Sequence, residues 1–235
     1  MDERYAKELE HICASTVPIF AALNFEELQK VNSLIQKKEY QKGNLLFMQG
    51  DPVSHLYIVR YGRVKLYEAS KDGRQQIVRI LEHGDFFGEL SLFKDERHSL
   101  NAEALEDTGL CLLPRGDFKN LIEQNPEMSL SIMQALSERL AYTEKFIGDL
   151  TLKSIEERLA SWLMVMAEKE GVRTPQGIRI SINLSRQEVA NLLGTTQETV
   201  SRKLTRLQSE GIIATKGQKN IIVLDKERLA ALVTK

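Results

Sequence analysis

The sequence predicts an α+β chain in three parts: an N-terminal helix with a sandwich or barrel of short strands, one long helix, and a C-terminal winged helix-turn-helix. Three observations predict it. Between Tyr40 and Pro114, short apolar runs broken by glycine-containing turns recur about every ten residues. After Pro126 an apolar stripe follows heptad spacing. From Ser185 to Leu207 the chain reads S-R-Q-E-V-A-N-L-L-G-T-T-Q-E-T-V-S-R-K-L-T-R-L, two helical patterns separated by a single turn.

Each element has a local cause. Asn24 and Glu27 form a capping box, and Leu28, Val31, Leu34 and Ile35 give one apolar face to a helix expected over residues 24–38. Beyond it, L-Y-I-V, R-V-K-L-Y and Q-I-V-R-I lie between turns at Gly43, Gly50-Asp51, Gly62, Asp72-Gly73 and Gly84-Asp85. Short strands at that spacing make a sandwich or barrel. In the long helix, Met133, Leu136, Leu140, Thr143, Ile147 and Leu150 are spaced 3, 4, 3, 4 and 3. A helix lying on its own sheet carries a similar stripe. Thr143 in the seam and charges outside it favour a two-stranded coil, hence a parallel homodimer through 125–152. Ser154 and Glu157 form another capping box, which ends the long helix near Leu152. The expected domains are 1–124, an N-terminal helix and a set of short strands; 125–152, the dimerisation helix; and 153–235, a second, C-terminal domain. In the last of these, Leu159, Trp162, Leu163 and Met166 face a second core, and residues 178–182 alternate as a strand.

The helix-turn-helix carries the most chemistry. Ser185 and Glu188 form a capping box, Val189, Leu192 and Leu193 face inward, and Gly194 supplies the backbone freedom to end the first helix. Thr195 and Glu198 read as a second box opening a helix with Val200, Leu204 and Leu207 inside. Ala190, small where the helices cross, precedes Gly194 by four residues and Val200 by ten. That spacing resembles the helix-turn-helix of DNA-binding proteins. Gln197, Glu198, Ser201, Arg202 and Arg206 fall on one outward face. A carboxylate accepts from the cytosine amine, and a guanidinium donates twice to guanine. A surface ion pair between Glu198 and Arg202 is the ordinary alternative, worth roughly 0.2–0.5 kcal/mol; within this motif, base reading outweighs it. Gly211 closes the second helix, and residues 212–224 read as a hairpin turning at Gly217, with Lys216 and Lys219 placed to meet phosphate. Ser185 and Thr196 complete the DNA-facing candidates.

Charge agrees with this division. Residues 153–235 carry 14 Lys+Arg against 9 Asp+Glu, and residues 1–152 carry 18 against 24, inside a net charge of −1. Composition, at 42% hydrophobic and 28% charged, is that of a water-soluble protein. No apolar run is long enough for a membrane span, and M-D-E-R-Y lacks a signal-peptide core, so the expected location is the cytoplasm, with no membrane partner. Two cysteines in such a compartment are not a disulfide scaffold. A cupin-like metalloenzyme needs H-x-H spacing, and histidines 11, 55, 83 and 98 never come so close. No catalytic constellation, metal site or certain cofactor is read, and the chain is expected not to be an enzyme.

Q-E-T-V-S-R at 197–202 resembles the recognition helix of the cyclic AMP receptor protein/FNR (CRP/FNR) family of bacterial transcription regulators, and its E-x-x-S-R form is similar to the FNR branch. K-G-N-L-L-F-x-x-G-D, L-Y-I-V-x-x-G-x-V and G-D-F-F-G-E-L-S-L-F resemble that family's cyclic-nucleotide-binding β-roll. The resemblance implies a dimer reading a palindrome with TTGAT-like half-sites, with RNA polymerase as a further candidate partner. It also implies a candidate effector pocket at Gly88, Glu89, Leu90, His98, Ser99 and Thr143. In the family's cyclic AMP pocket an Arg-Ser/Thr pair holds the cyclic phosphate. Here that pair reads His98-Ser99, with Arg97 one position early. A one-residue slip in a strand reverses the face, and a neutral imidazole cannot replace a bidentate guanidinium. A cyclic-nucleotide-responsive regulator is therefore the lesser alternative. The FNR four-iron cluster needs four cysteine ligands, and this chain has Cys13 and Cys111 alone. The chain is similar to the FNR-like proteins of Gram-positive bacteria, which keep two cysteines, and this implies a reversible disulfide. Structural cysteines, or an unrecognised ligand, stay open beside it.

Overall fold

A computed structural model describes residues 13–89, 97–217 and 219–233. The described residues up to Gly73 and from Val78 to Ala141 form one unit; Arg74–Ile77 and those from Tyr142 onward form the other. Leu90, the third member of the Gly88-Glu89-Leu90 run, lies outside the described residues.

The first unit begins with a 3-10 turn at Cys13–Thr16 and helix α1 at Phe25–Leu34. Asn24 caps α1 through the expected reciprocal bonds with Glu27. The helix stops four residues short of the expected 38, because Ile35 turns extended and Gln36–Tyr40 becomes strand β1. Backbone pairing with β8 (Thr108–Pro114) overrides the local helical pattern there. Between them lie β2 (Leu45–Phe47), β3 (His55–Tyr61), β4 (Val64–Ala69), β5 (Gln75–Leu81), β6 (Phe86–Phe87) and β7 (Asn101–Ala104). Two four-stranded antiparallel sheets result, in the orders β1-β8-β3-β6 and β2-β7-β4-β5.

Strands β3 and β8 show why the roll holds together. Their apolar residues run without a polar break, yet the faces still alternate. Tyr57 and Val59 of β3, with Leu110 and Leu112 of β8, point into a core shared with Val64, Leu66 and Phe87. Leu56, Ile58, Cys111 and Leu113 point the other way, into a second core closed by Phe20, Phe118, Met128 and Ile132. Phe118 belongs to helix α2 (Arg115–Gln124); Met128 and Ile132 belong to α3 (Pro126–Leu152). At the β3–β4 turn Gly62 has φ +79°, and a Cβ there would lie 2.5 Å from the Thr108 hydroxyl, so only glycine fits.

In α3 the seam residues Met133, Leu140 and Ile147 are exposed in the single protomer. The second unit continues with α4 (Ile155–Lys169), started by the Ser154–Glu157 capping box. Strands β9 (Val172–Thr174) and β10 (Gly177–Ser181), helices α5 (Arg186–Leu193) and α6 (Gln197–Ser209), and strands β11 (Ile213–Lys216) and β12 (Asn220–Val223) follow, then α7 (Lys226–Ala231). The strands form one antiparallel sheet in the order β11-β12-β10-β9. Its core joins Leu159 and Leu163 to Ile180, Val189, Val200, Leu207, Ile221 and Leu229, all buried. Trp162 and Met166, expected in that core, are only partly covered. The chain is α+β, with an N-terminal roll, a long helix and a winged helix-turn-helix. No described helix is long and apolar enough to cross a membrane.

Candidate nucleic-acid interface and effector pocket

The turn of the helix-turn-helix is built by Gly194. Its backbone is left-handed, at φ 64° and ψ 46°, and the amide of Thr195 donates to the Ala190 carbonyl at 3.0 Å. That bond commits Thr195 to ending α5, so it does not cap α6 as expected. The cap is Thr196, whose hydroxyl accepts from the Thr199 amide at 3.3 Å. Ser185 caps α5 as read from the sequence, its hydroxyl accepting from the Glu188 amide.

Val200, Leu204 and Leu207 are buried, which turns Gln197, Glu198, Ser201, Arg202 and Arg206 outward. The Glu198 amide and the Thr196 hydroxyl hold the Glu198 carboxyl below the ordinary glutamate range. It is therefore an ionised acceptor at neutral pH. Among the described residues, Arg202 has a long contact, 3.5 Å, to the Thr199 hydroxyl. Arg206 is tied down: it donates to Glu210 at 2.8 Å and to Glu156 at 3.1 Å. Glu156 also takes Lys203 at 2.8 Å. This clamp was not read from the sequence; the partners of Glu156 are 47 and 50 residues away. Lys216 and Lys219 are exposed on either side of the Gly217 turn, where the backbone has φ 67°.

In the roll, Gly88 has φ +93° and brings Glu89 into the interior, 3% exposed. The Glu89 carboxylate is ion-paired with Arg139 of α3, which also donates to the Phe86 carbonyl at 2.6 Å and stacks 3.8 Å above the Phe86 ring. The other Glu89 oxygen is buried without a hydrogen-bond partner among the described residues. Arg139 is a residue the sequence reading missed, since nothing local marks it. His98 is 4% exposed and lies flat on Phe47, ring centroids 3.5 Å apart. Burial pushes its imidazole down to about 4, against a small opposing pull from Asp51, so it is neutral at pH 7. Arg97 is exposed and donates to the Gly50 carbonyl at 2.8 Å. Arg97 is thus turned to the surface and His98 to the interior, in the stretch before β7 and not within a strand. Ser99 and, on α3, Thr143 are exposed.

Cys13 and Cys111 are joined as a disulfide, with Cα atoms 6.6 Å apart across 98 residues of sequence. Both sulfur-bearing residues sit in the core that Phe20, Leu56 and Phe118 also line.

An exposed polar recognition helix and a basic wing, on a chain that also carries a cyclic-nucleotide-type roll, define the class: DNA-binding transcription regulators. Residues 37–125 match the cyclic nucleotide-binding domain, and residues 157–232 match the Crp-like helix-turn-helix domain. The chain is 30% identical over 219 residues to the probable transcriptional regulator flp of Lacticaseibacillus casei, covering 93% of this chain and 97% of that protein. It is 28% identical over 212 residues to a CRP-like cAMP-activated global transcriptional regulator of Mycobacterium tuberculosis, covering 90% and 94%. Among solved structures, a CooA variant from Carboxydothermus hydrogenoformans matches with a TM-score of 0.77 and 26% identity, over 93% of this chain and 95% of that one. The chain belongs to the CRP/FNR family of transcription regulators; it is a regulator and not an enzyme.

His98 yields a pH prediction. Its folded-state value lies below the ordinary 6.5, so between about 6.5 and about 4 the unfolded chain binds the extra proton. Unfolding free energy should fall as pH drops through that window. His98→Phe, which keeps the stacking on Phe47 without titrating, should flatten this part of the curve in urea unfolding measured at a series of pH values.

Proposed function

We propose that the protein is a cytoplasmic homodimer that reads a palindrome of TTGAT-like half-sites, and that the oxidation state of Cys13 and Cys111 governs its DNA affinity. In this reading residues 1–124 sense, 125–152 pair with a second copy, and 153–235 bind DNA. The observation that carries it is the joined cysteine pair, which ties the segment before α1 to the central strand of the roll. A compartment that keeps thiols reduced makes such a bond informative, because it forms only under oxidation. The likeness to the Lacticaseibacillus casei regulator supports the placement beside FNR-like proteins of Gram-positive bacteria. RNA polymerase is the partner through which bound dimer would act.

Cyclic-nucleotide response is the second reading. Glu89 in its Gly-Glu run and the cAMP-activated relative favour it. The neutral His98 where the phosphate needs a guanidinium weighs against it. One experiment separates the two: binding of the purified dimer to a TTGAT palindrome after diamide, after dithiothreitol, and with cyclic AMP added. Redox control predicts a difference between the first two conditions that Cys13→Ser or Cys111→Ser removes. Equal affinity in both, unchanged in the variants, would make the cysteines structural.

Base reading makes its own prediction. Glu198 accepts from a cytosine amine, Arg202 donates to guanine, and Ser201 lies against thymine, with Gln197 beside them. Arg202→Ala should cost roughly 1–3 kcal/mol per half-site and relax choice at the guanine, measured by competition among half-site variants. A uniform loss across all sequences would make Arg202 a phosphate contact.

Dimerisation rests on the exposed α3 seam. Ile147→Glu sets two carboxylates against each other in a parallel pair, which should give monomers in sedimentation and little affinity for the palindrome, since each half-site then binds alone. An unchanged dimer would move the contact off this seam.

A further inference from the structure

The second unit contains a cavity of about 500 Å³ that the DNA-reading chemistry does not use. Its walls come from the C-terminal turns of α3, from α4, from the end of α5 and from the α7 region. Phe146, Leu150, Trp162, Val165 and Leu193 are among its walls, and the lining is chiefly apolar. The volume lies within the roughly 300–1,000 Å³ of small-ligand pockets, and a few polar groups in such a wall fix the ligand's orientation.

Those polar groups are unequal in charge. Lys145, Lys153 and Arg158 line the cavity, against one acid, Asp149. Asp149 pairs with Lys153 at 2.8 Å, and the Lys153 ammonium also reaches the Ser161 hydroxyl at 3.4 Å. Arg158 lines the wall as well and lies within the field of Asp149, so two cations remain beyond the one acid. A guanidinium at an apolar wall suits a carboxylate, which it meets in fork geometry.

We infer that this cavity binds a small amphipathic carboxylate, its chain against Trp162 and Phe146 and its head group on Arg158. The occupant would touch the long helix, α4 and the first helix of the helix-turn-helix together, and so hold the DNA-reading helices to the end of α3. The inference stands apart from the cysteine reading, since neither cysteine belongs to this unit and the test below needs no oxidant.

Trp162 is the one tryptophan in the chain and reports directly on the cavity. Full-length protein should be titrated with sodium decanoate, 1-decanol and decyltrimethylammonium below their micellar concentrations, reading Trp162 emission. Decanoate should give a saturable change and bind at least tenfold more tightly than the cationic analogue. Arg158→Gln should weaken decanoate about tenfold and leave decanol unaltered, while Ala230→Phe, which fills the cavity, should weaken both. Retained palindrome binding by the variants certifies their fold; if Arg158→Gln does not fold, the ranking of the three amphiphiles on the wild type decides alone. No saturable change, or equal binding of the carboxylate and the cation by the wild type, overturns the inference, including the case in which a second copy of the chain fills the groove.

Discussion

Strand β8 has to serve two cores at once, and much of the roll follows from that demand. It lies between β1 and β3, and its side chains alternate between the core around Phe87 and the core around Phe118. A strand buried on both faces cannot afford polar positions, which is why T-G-L-C-L-L-P reads as one apolar run. The same demand places Cys111. Its side chain faces the core that the N-terminal turn and α1 cover, so the turn that carries Cys13 comes within bonding distance. A bond closing about 100 residues removes a large share of the unfolded chain's freedom, worth roughly 2–4 kcal/mol in typical cases. Oxidation state and the stability of this core are therefore linked, whatever the linkage does to DNA.

What the sequence made legible was local. The boxes at Asn24, Ser154 and Ser185, the left-handed Gly194 and the inward faces of α5 and α6 rest on residues within four or five positions of each other, where sterics and capping bonds decide. The misreadings have physical causes, one local and one distant. Thr195 and Thr196 are both able to cap, and only the backbone bond from Thr195 to Ala190 selects the second. Q-K-K-E-Y at 36–40 has no strand signal of its own; it becomes β1 because β8 offers a row of backbone partners. Beyond these, the unreadable features are long-range charge pairs. Arg139 meets Glu89 across 50 residues and Glu156 meets Lys203 across 47, and charged residues on helix surfaces are too common to announce such partners.

The candidate effector pocket shows how a single buried residue bears on a site's chemistry. His98 is neutral at pH 7 and stacked on Phe47, so it brings no positive charge into the interior of the roll. Glu89 is 3% exposed, and a carboxylate so buried needs compensation. Arg139 provides it from α3, and its stacking on Phe86 together with the bond to the Phe86 carbonyl fixes where the guanidinium can sit. The pocket's acid thereby becomes a fastening between the roll and the long helix. A ligand arriving at Glu89 would have to compete with that ion pair.

Helix α3 is the element on which these separate chemistries converge, because different turns of it are claimed by different surroundings. Met128 and Ile132 are sealed into the roll core, and Arg139 is held by Glu89. Met133, Leu140 and Ile147 face outward on a heptad seam. Phe146, Asp149 and Leu150 line the cavity of the second unit. A continuous helix transmits a rotation or shift along its length far better than a loop would, since its own hydrogen bonds resist local bending. Residues 128–139 and 146–150 are thus stretches of one hydrogen-bonded helix, each held or exposed by the surroundings of its own unit.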